Sequence, residues 1–327
     1  MAAVRGRNDT LYAYLFLAPF LAAFAVFLGW PILYSLWLSF HKTSVFTDWY
    51  NIFGDMEWAG LDNYAQLLFH DFEFWWSLYR TLVYAALMIP AQIVVGFFLA
   101  VLLRERLAGK DFFRGALFMP HVLDVFVVGT IWVLIYSPNY GLIDVLLTKF
   151  GIMGGLDALM IRLGTTALSS TGVLGNAIVA LPAIAFALVL KSAGFGMILF
   201  LAAMNNISDS VYEAADIDGA TFWQKHRHVT LPLVKPIVLF LVITGLMGAL
   251  NAFTEIYAMA ATKYAQGGPY VDVGGHSVGV TKVSGFYLYK TFEQGDYGMA
   301  AAMSFLLLIV AFVISALNAK LLKTEEH

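Results

Sequence analysis

VYEAADIDGATFWQKHRHVTLPLVKP, residues 211–236, is the one long polar stretch near the middle of an otherwise oily chain. Its first part predicts a short helix, with Ser210 and Glu213 at capping-box spacing. On that helix Asp209, Glu213 and Asp216 stand at i, i+4 and i+7 and share a face, while Val211, Ala214 and Ala215 lie to the side. Gly219 permits a turn that a residue with a β-carbon resists. Thr221 is placed to cap a second helical turn. Leu231-Pro232 opens the next apolar run, with proline near the first helical position, where its missing N–H costs little. Two readings fit such a helix. It is a solvated loop whose charges keep it out of lipid, or a peg shaped for another protein's groove, its alanines admitting close approach and its carboxylates meeting basic residues.

Composition places the stretch inside a membrane protein. Hydrophobic residues make up 60% of the 327 and charged residues 13%, with a mean hydropathy of +0.76. A soluble chain carries about a quarter charged residues. The 27 Phe and 16 Tyr suit lipid-facing spans and interfacial belts. A net charge of -3 on so apolar a chain excludes a nucleic-acid partner. With no cysteine there is no disulfide, thiolate metal site or cysteine nucleophile.

Working outward, six apolar runs are long enough to cross a bilayer, at residues 11–40, 80–103, 115–136, 173–205, 233–261 and 298–319. The first is too long for a cleaved signal peptide and predicts a kink near Gly29 and Pro31. Residues 41–79 form an acidic, tryptophan-rich loop through Asp48, Asp55, Glu57, Asp62, Asp71 and Glu73, with Trp49, Trp58, Trp75 and Trp76. Residues 137–172 read as a Gly/Ser-rich loop with a short amphipathic helix around 143–150, and the fourth run is interrupted at 191–196. Residues 262–297 read as a loop, and Gly298 to Ala302 supply small residues for helix contact. Arg5 and Arg7, the basic cluster Arg104, Arg106, Lys110 and Arg114, then Lys225, Arg227, Lys320 and Lys323 all fall on one side of six spans. That side is cytoplasmic by the positive-inside rule, and it holds both termini and the central polar stretch.

The order Glu213-Ala214-Ala215, Gly219, Leu231-Pro232 resembles the EAA loop of binding-protein-dependent ABC importer permeases. The run EAADIDGAT is most similar to the carbohydrate branch, the relatives of the maltose and glycerol-3-phosphate permeases. FLAPF and GWPI in the first span, Tyr140-Gly141-Leu142-Ile143, Gln266-Gly267-Gly268-Pro269 and Tyr297-Gly298-Met299-Ala300-Ala301-Ala302 extend the likeness to nearly the whole chain. The resemblance implies an all-α polytopic membrane protein of about six transmembrane helices with type I ABC importer permease architecture, set in the inner (cytoplasmic) membrane. It implies a cytoplasmic lead (1–10), a permease domain (11–319) with its coupling loop at about 206–232, and a cytoplasmic tail (320–327). Glu213, Ala214, Ala215, Asp216, Gly219, Leu231 and Pro232 would then couple to an ATPase subunit. The implied partners are a second homologous permease subunit, an ATPase dimer that binds ATP and Mg, an extracytoplasmic solute-binding protein and a carbohydrate. This chain would itself bind no cofactor. Two features depart from the pattern: the glycine-rich insert 270–279, and Thr254 where relatives commonly carry aspartate.

No P-loop, H-E-x-x-H or G-x-S-x-G run occurs, so hydrolytic chemistry has no local signature. Charges inside spans cost at least ~2.5 kcal/mol at a helix centre, so Asp124, Lys191 and Glu255 need partners or water. One expectation is that Asp124 and Lys191 approach each other or line one wet cavity. The competing one is that Lys191 snorkels or meets carbonyls freed at Gly194 and Gly196. Gln92, Asn176, Asn251, Glu255 and Tyr257 are candidates to contact sugar hydroxyls along a translocation path, and Phe253 to stack on a sugar face. Ordinary helix–helix hydrogen bonding accounts for each of them equally well. The rival functions are an ion-coupled secondary transporter of a small polar solute, with the three buried charges as relay groups, and an intramembrane enzyme. Neither inverted halves with matching broken helices nor a paired catalytic constellation is visible.

Overall fold

The computed structural model describes residues 7–47, 56–104, 109–261 and 268–323; Arg5, Asp48, Trp49, Asp55, Arg106, Gln266 and Gly267 lie outside the described residues. Helix α1 (Arg7–Phe24) passes through a π turn, Ala25–Gly29, into α2 (Trp30–Leu38). The π turn meets Pro31 at the start of α2, where proline lacks an N–H for the ladder, so the helix is loosened near Gly29 and Pro31. Strands β1 (His41–Lys42) and β2 (Glu57–Trp58) pair antiparallel ahead of α3 (Asp62–Phe69).

The second run begins earlier than its hydropathy suggests. Helix α4 is Phe72–Arg104, because the Asp71 carboxylate accepts from the Phe74 N–H at 2.9 Å and caps it. Its 33 residues extend about 50 Å, beyond the hydrocarbon layer. The third run is not straight either: α5 (Lys110–Val122) and α6 (Val125–Ile135) meet at 97°. The following loop folds into α7 (Leu142–Lys149), at the expected amphipathic stretch, then α8 (Met153–Arg162) and α9 (Leu168–Thr171).

Helix α10 (Ala180–Asn205) is continuous, so the interruption expected at 191–196 is absent. Its glycines serve close approach instead. A β-carbon on Gly194 would lie 2.1 Å from the Leu117 carbonyl of α5, and one on Gly96 of α4 would lie 3.1 Å from Gly196. The polar stretch follows as α11 (Asp209–Ile217), α12 (Phe222–Lys225), a π turn His226–Thr230 and α13 (Leu231–Leu233), which leads at 66° into α14 (Lys235–Leu250). The fifth run then breaks at Asn251 and resumes as α15 (Thr254–Ile256) and a π turn, Tyr257–Ala261.

Residues 268–296, expected as loop, hold a hairpin of β3 (Tyr270–Val273) and β4 (His276–Gly279), then α16 (Ser284–Glu293). Gly274 and Gly275 both take positive φ (61° and 83°) between the paired residues Val273 and His276, as a two-residue hairpin turn requires. Helix α17 (Tyr297–Lys323) closes the chain.

Among the described residues, four helical segments are apolar and long enough to span a membrane, and the two bent pairs bring the number to six if each counts as one span. The chain divides into two compact units, Met1–His70 with Lys290–Leu308 and Asp71–Tyr289 with Ile309–His327. In the first, Asn63 donates to the carbonyls of Ser39 (2.9 Å) and His41 (3.0 Å), and none of the apolar window of Tyr14–Leu38 is buried by the chain. In the second, α10 is the most enclosed span and packs on α4 and α5. Tyr84, Ile89, Leu181, Ile184 and Phe286 form one buried cluster there, and Met197, Phe200, Met204, Val234 and Leu241 another.

Candidate functional site

The stretch between α10 and α14 is the most elaborately terminated part of the second unit. Its first helix starts at Asp209 with Ser208 as the N-cap, so Ser210 lies inside the helix and the capping box expected with Glu213 does not form. The two serine hydroxyls bond each other at 2.8 Å instead. At the other end, the Gly219 N–H donates to Asp216 and the Ala220 N–H to Ala215, the paired bonds of a Schellman ending. Gly219 has φ +73° with open space around it, so glycine is required there by backbone conformation alone. Thr221 and Gln224 form a reciprocal capping box on α12. Pro232 sits in the first turn of α13, as its neighbour Leu231 announced.

Asp209, Glu213 and Asp216 do share a face, and it borders the chain while staying exposed, the Asp209 and Asp216 side chains at 92% and 59%. They line a cleft of about 440 Å³ together with Arg104, Tyr212, Phe222, Lys225 and His226. Asp216 is paired with Lys225 across the Gly219 turn. The Arg104 guanidinium lies 3.8 Å from Asp209 and 4.0 Å from the centroid of the Tyr212 ring. Glu213 has no ion-pair partner among the described residues. The opposite side of α11 carries Val211 and Ala214, with Ile217 beside them 87% exposed. Trp223 on α12 is 70% exposed, and Leu231 is also exposed. The outward surface thus carries small and apolar residues beside the exposed Asp218.

The polar groups of the spans divide into those engaged by the chain's own backbone and those gathered around the break in the fifth run. Asp124 caps α6, its carboxylate accepting from Phe126 (2.8 Å) and Val127 (3.4 Å). Lys191 donates to the His121 carbonyl at 3.0 Å, a group freed where α5 ends, not near Gly194 or Gly196. Asp124 and Lys191 therefore form no ion pair, each being engaged by a backbone group. Asn176 is fully buried ahead of α10; its amide donates to Thr165 and Thr166 and its carbonyl accepts from Ile178 and Val179. Asn251 ends α14 with its amide on the Met247 carbonyl (2.9 Å). Gln92 is half-buried on α4, near its contact with α10.

Glu255 accepts from the Tyr84 hydroxyl at 3.2 Å. Phe253 and Tyr257 pack on one another (5.3 Å) and both on Tyr289 (4.2 and 5.7 Å), with Phe126 at 6.5 Å from Tyr257. Phe253 and Tyr257 thus meet on Tyr289, while Glu255 is engaged separately by Tyr84. Tyr84 and Tyr289 are residues that sequence reasoning missed. Tyr84 carries no pattern distinguishing it in an apolar run, and Tyr289 reaches the cluster only because α16 folds back, a β-carbon on its Gly285 lying 2.6 Å from the Ala252 carbonyl. Arg104 and Tyr212 were missed as well, the first being legible only as one of several basic loop residues.

Residues 72–323 match the family described as binding-protein-dependent transport system inner membrane component. The chain belongs to that family. The match begins where α4 begins and takes in the whole 206–232 segment. This permease is 31% identical over 313 residues to a probable ABC transporter permease of Pyrococcus horikoshii, covering 95% of each chain. It is 29% identical over 309 residues to the trehalose/maltose transport system permease protein MalF of Thermococcus litoralis, covering 94% of this chain and 92% of the relative. Its fold is similar to a chain of a bacterial ABC transporter involved in the import of the acidic polysaccharide alginate, with a TM-score of 0.73, 23% identity and 98% and 97% of the two chains covered. The permease is therefore a multi-pass inner-membrane component of a carbohydrate ABC importer, and the ion-coupled reading is not favoured.

Proposed function

We propose that this permease carries a carbohydrate into the cell, and that the work arrives from ATPase subunits docked on residues 206–232. The substrate class is supported by the relative that transports trehalose and maltose. The docking is supported above all by the outward side of α11 and α12. Ile217 and Trp223 are exposed on a segment that the basic residues of the short loops assign to the cytoplasmic side. Apolar surface on a segment bathed by water marks a protein partner. Glu213, at the mouth of the cleft, supplies the free carboxylate for a basic residue of that partner. An extracytoplasmic binding protein delivers the sugar, a second homologous permease completes the pore, and the ATPase dimer holds ATP and Mg. Closing of that dimer shifts α11, and the permease exchanges outward and inward states by their difference in binding free energy. Glu255, Phe253, Tyr257, Asn251 and Gln92 are the groups proposed to meet the sugar.

The test is uptake of a panel of radiolabelled mono- and oligosaccharides into vesicles holding the assembled complex, its binding protein and internal ATP. Uptake of at least one sugar is expected to need ATP and to survive a protonophore. Gly219→Val, which forces a β-branched residue to positive φ, is expected to lower it at least about tenfold, as is Glu213→Lys. Uptake that persists without ATP and collapses with the ion gradient would sink the proposal.

A further inference from the structure

Resting on that docking reading, we propose that Arg104 is the positioning residue that locks α11 to the C-terminal end of α4, so that a displacement of the docked helix is delivered to the second span as one rigid-body movement. Tyr212 of α11 is held from two sides. Tyr212 lies under the Arg104 guanidinium of α4 at 4.0 Å. Its hydroxyl bonds the Thr230 hydroxyl at 3.1 Å, and Thr230 is fully buried just ahead of α13 and α14. The chain itself joins α11 to α10 through residues 206–208.

Of the two contacts Arg104 makes, the ring face is the one that holds. The Asp209 carboxylate is 92% exposed and 3.8 Å away, and exposed pairs of that kind contribute little. The Arg104 side chain is only 21% exposed and its guanidinium carbon lies over an aromatic ring, where water screens it less. Arg104 is also the last residue of α4, where the helix dipole favours a cation. A second contact runs beside it: His226 meets Phe97 of α4 edge-on at 6.3 Å, and its ring nitrogen bonds the same Thr230 hydroxyl at 3.1 Å. Helix α4 is in turn fixed to α10 where Gly96 faces Gly196 and to α14 where Gly245 faces Ile89, so it transmits what it receives. At its far end, Trp76 and Arg80 donate to the carbonyls of Gly279 and Val280, and Glu73 pairs with Lys282 at 2.7 Å, next to the hairpin.

Because the chain has no cysteine, spin labels can be placed singly. A pair at Leu102 and Ser210, both exposed, reads the separation of α4 and α11 in the assembled complex by pulsed electron resonance. One narrow distance, unchanged when a non-hydrolysable ATP analogue is added, is expected. Arg104→Leu is expected to lose that fixed distance while the ATPase still co-purifies. Tyr212→Leu should do the same, and Tyr212→Phe and Arg104→Lys should largely keep it, since each preserves a cation over a ring. A distance that shifts with the ATP analogue in the unsubstituted chain overturns the proposal. So does a narrow distance retained by Arg104→Leu, or by Tyr212→Leu should the arginine variant fail to assemble. Glu213→Lys in the same complex separates the two ideas. If it still binds the ATPase and transports normally, the docking reading fails. If it fails while Arg104→Leu behaves as the unsubstituted chain, only the lock is wrong.

Discussion

Asp124 and Lys191 show how ionisable groups within membrane runs are accommodated without pairing. Each has been given to a backbone group set free by the sharp break between α5 and α6: the carboxylate takes two N–H groups of α6, and the ammonium takes the carbonyl of His121. A pairing argument from the sequence fails here because it counts charges and omits the orphaned backbone groups that compete for them. The two accounts differ in a measurable way. Capping needs an oxygen, not a charge, so Asp124→Asn is expected to leave the thermal midpoint of the detergent-solubilised permease nearly unchanged. Asp124→Ala is expected to cost about 1 kcal/mol. The double exchange Asp124→Lys with Lys191→Asp should be worse than either change alone, because it removes both backbone partners at once. Equal loss in Asp124→Asn and Asp124→Ala would restore the ion-pair account.

Among elements, α10 and the hairpin depart furthest from what one-dimensional reading offers. Glycine in an apolar run signals either a break or a close contact, and only neighbours distinguish the two. Gly194 proves to be a contact, with the α5 backbone against it, whereas Gly248 in α14 faces open space. Gly194→Ala is therefore expected to destabilise the permease by about 1–3 kcal/mol through overpacking. Gly248→Ala should be neutral or stabilise it by up to about 1 kcal/mol through helix propensity. Denaturation in mixed detergent micelles measures both, and a Gly194→Ala variant as stable as the parent would remove the close-contact assignment. The hairpin did leave a trace in the sequence. Val271 and Val273 alternate ahead of Gly274-Gly275, a strand-and-turn signal hidden by the expectation of a featureless loop. The early start of α4 was equally legible in Asp71-Phe72-Glu73, an N-terminal signature that hydropathy averaging passes over.

At the scale of the whole molecule, orientation rests on the distribution of lysine and arginine. That distribution assigns the 206–232 segment and the hairpin to opposite sides of the membrane. In intact spheroplasts, a Ser277→Cys variant is expected to react with a membrane-impermeant maleimide, and a Ser210→Cys variant only after permeabilisation; the chain has no other thiol to confuse the result. The reverse pattern would overturn the orientation and, with it, the docking of an ATPase on α11.

What the sequence determined alone is what lipid and water impose on a chain one segment at a time. Apolar run length sets which segments can span, and the motif through Glu213, Gly219 and Pro232 marks the segment between them, with Gly219 at the positive φ its helix ending needs. Only the tertiary structure decided which residues the acidic face of α11 meets, which carbonyl receives Lys191, that Tyr84 joins Glu255, and that Tyr289 joins Phe253 and Tyr257. Each of these is a choice among competing partners distant in the chain. Periodicity fixes the side of a helix on which a residue stands, but the neighbour that side meets is settled by packing.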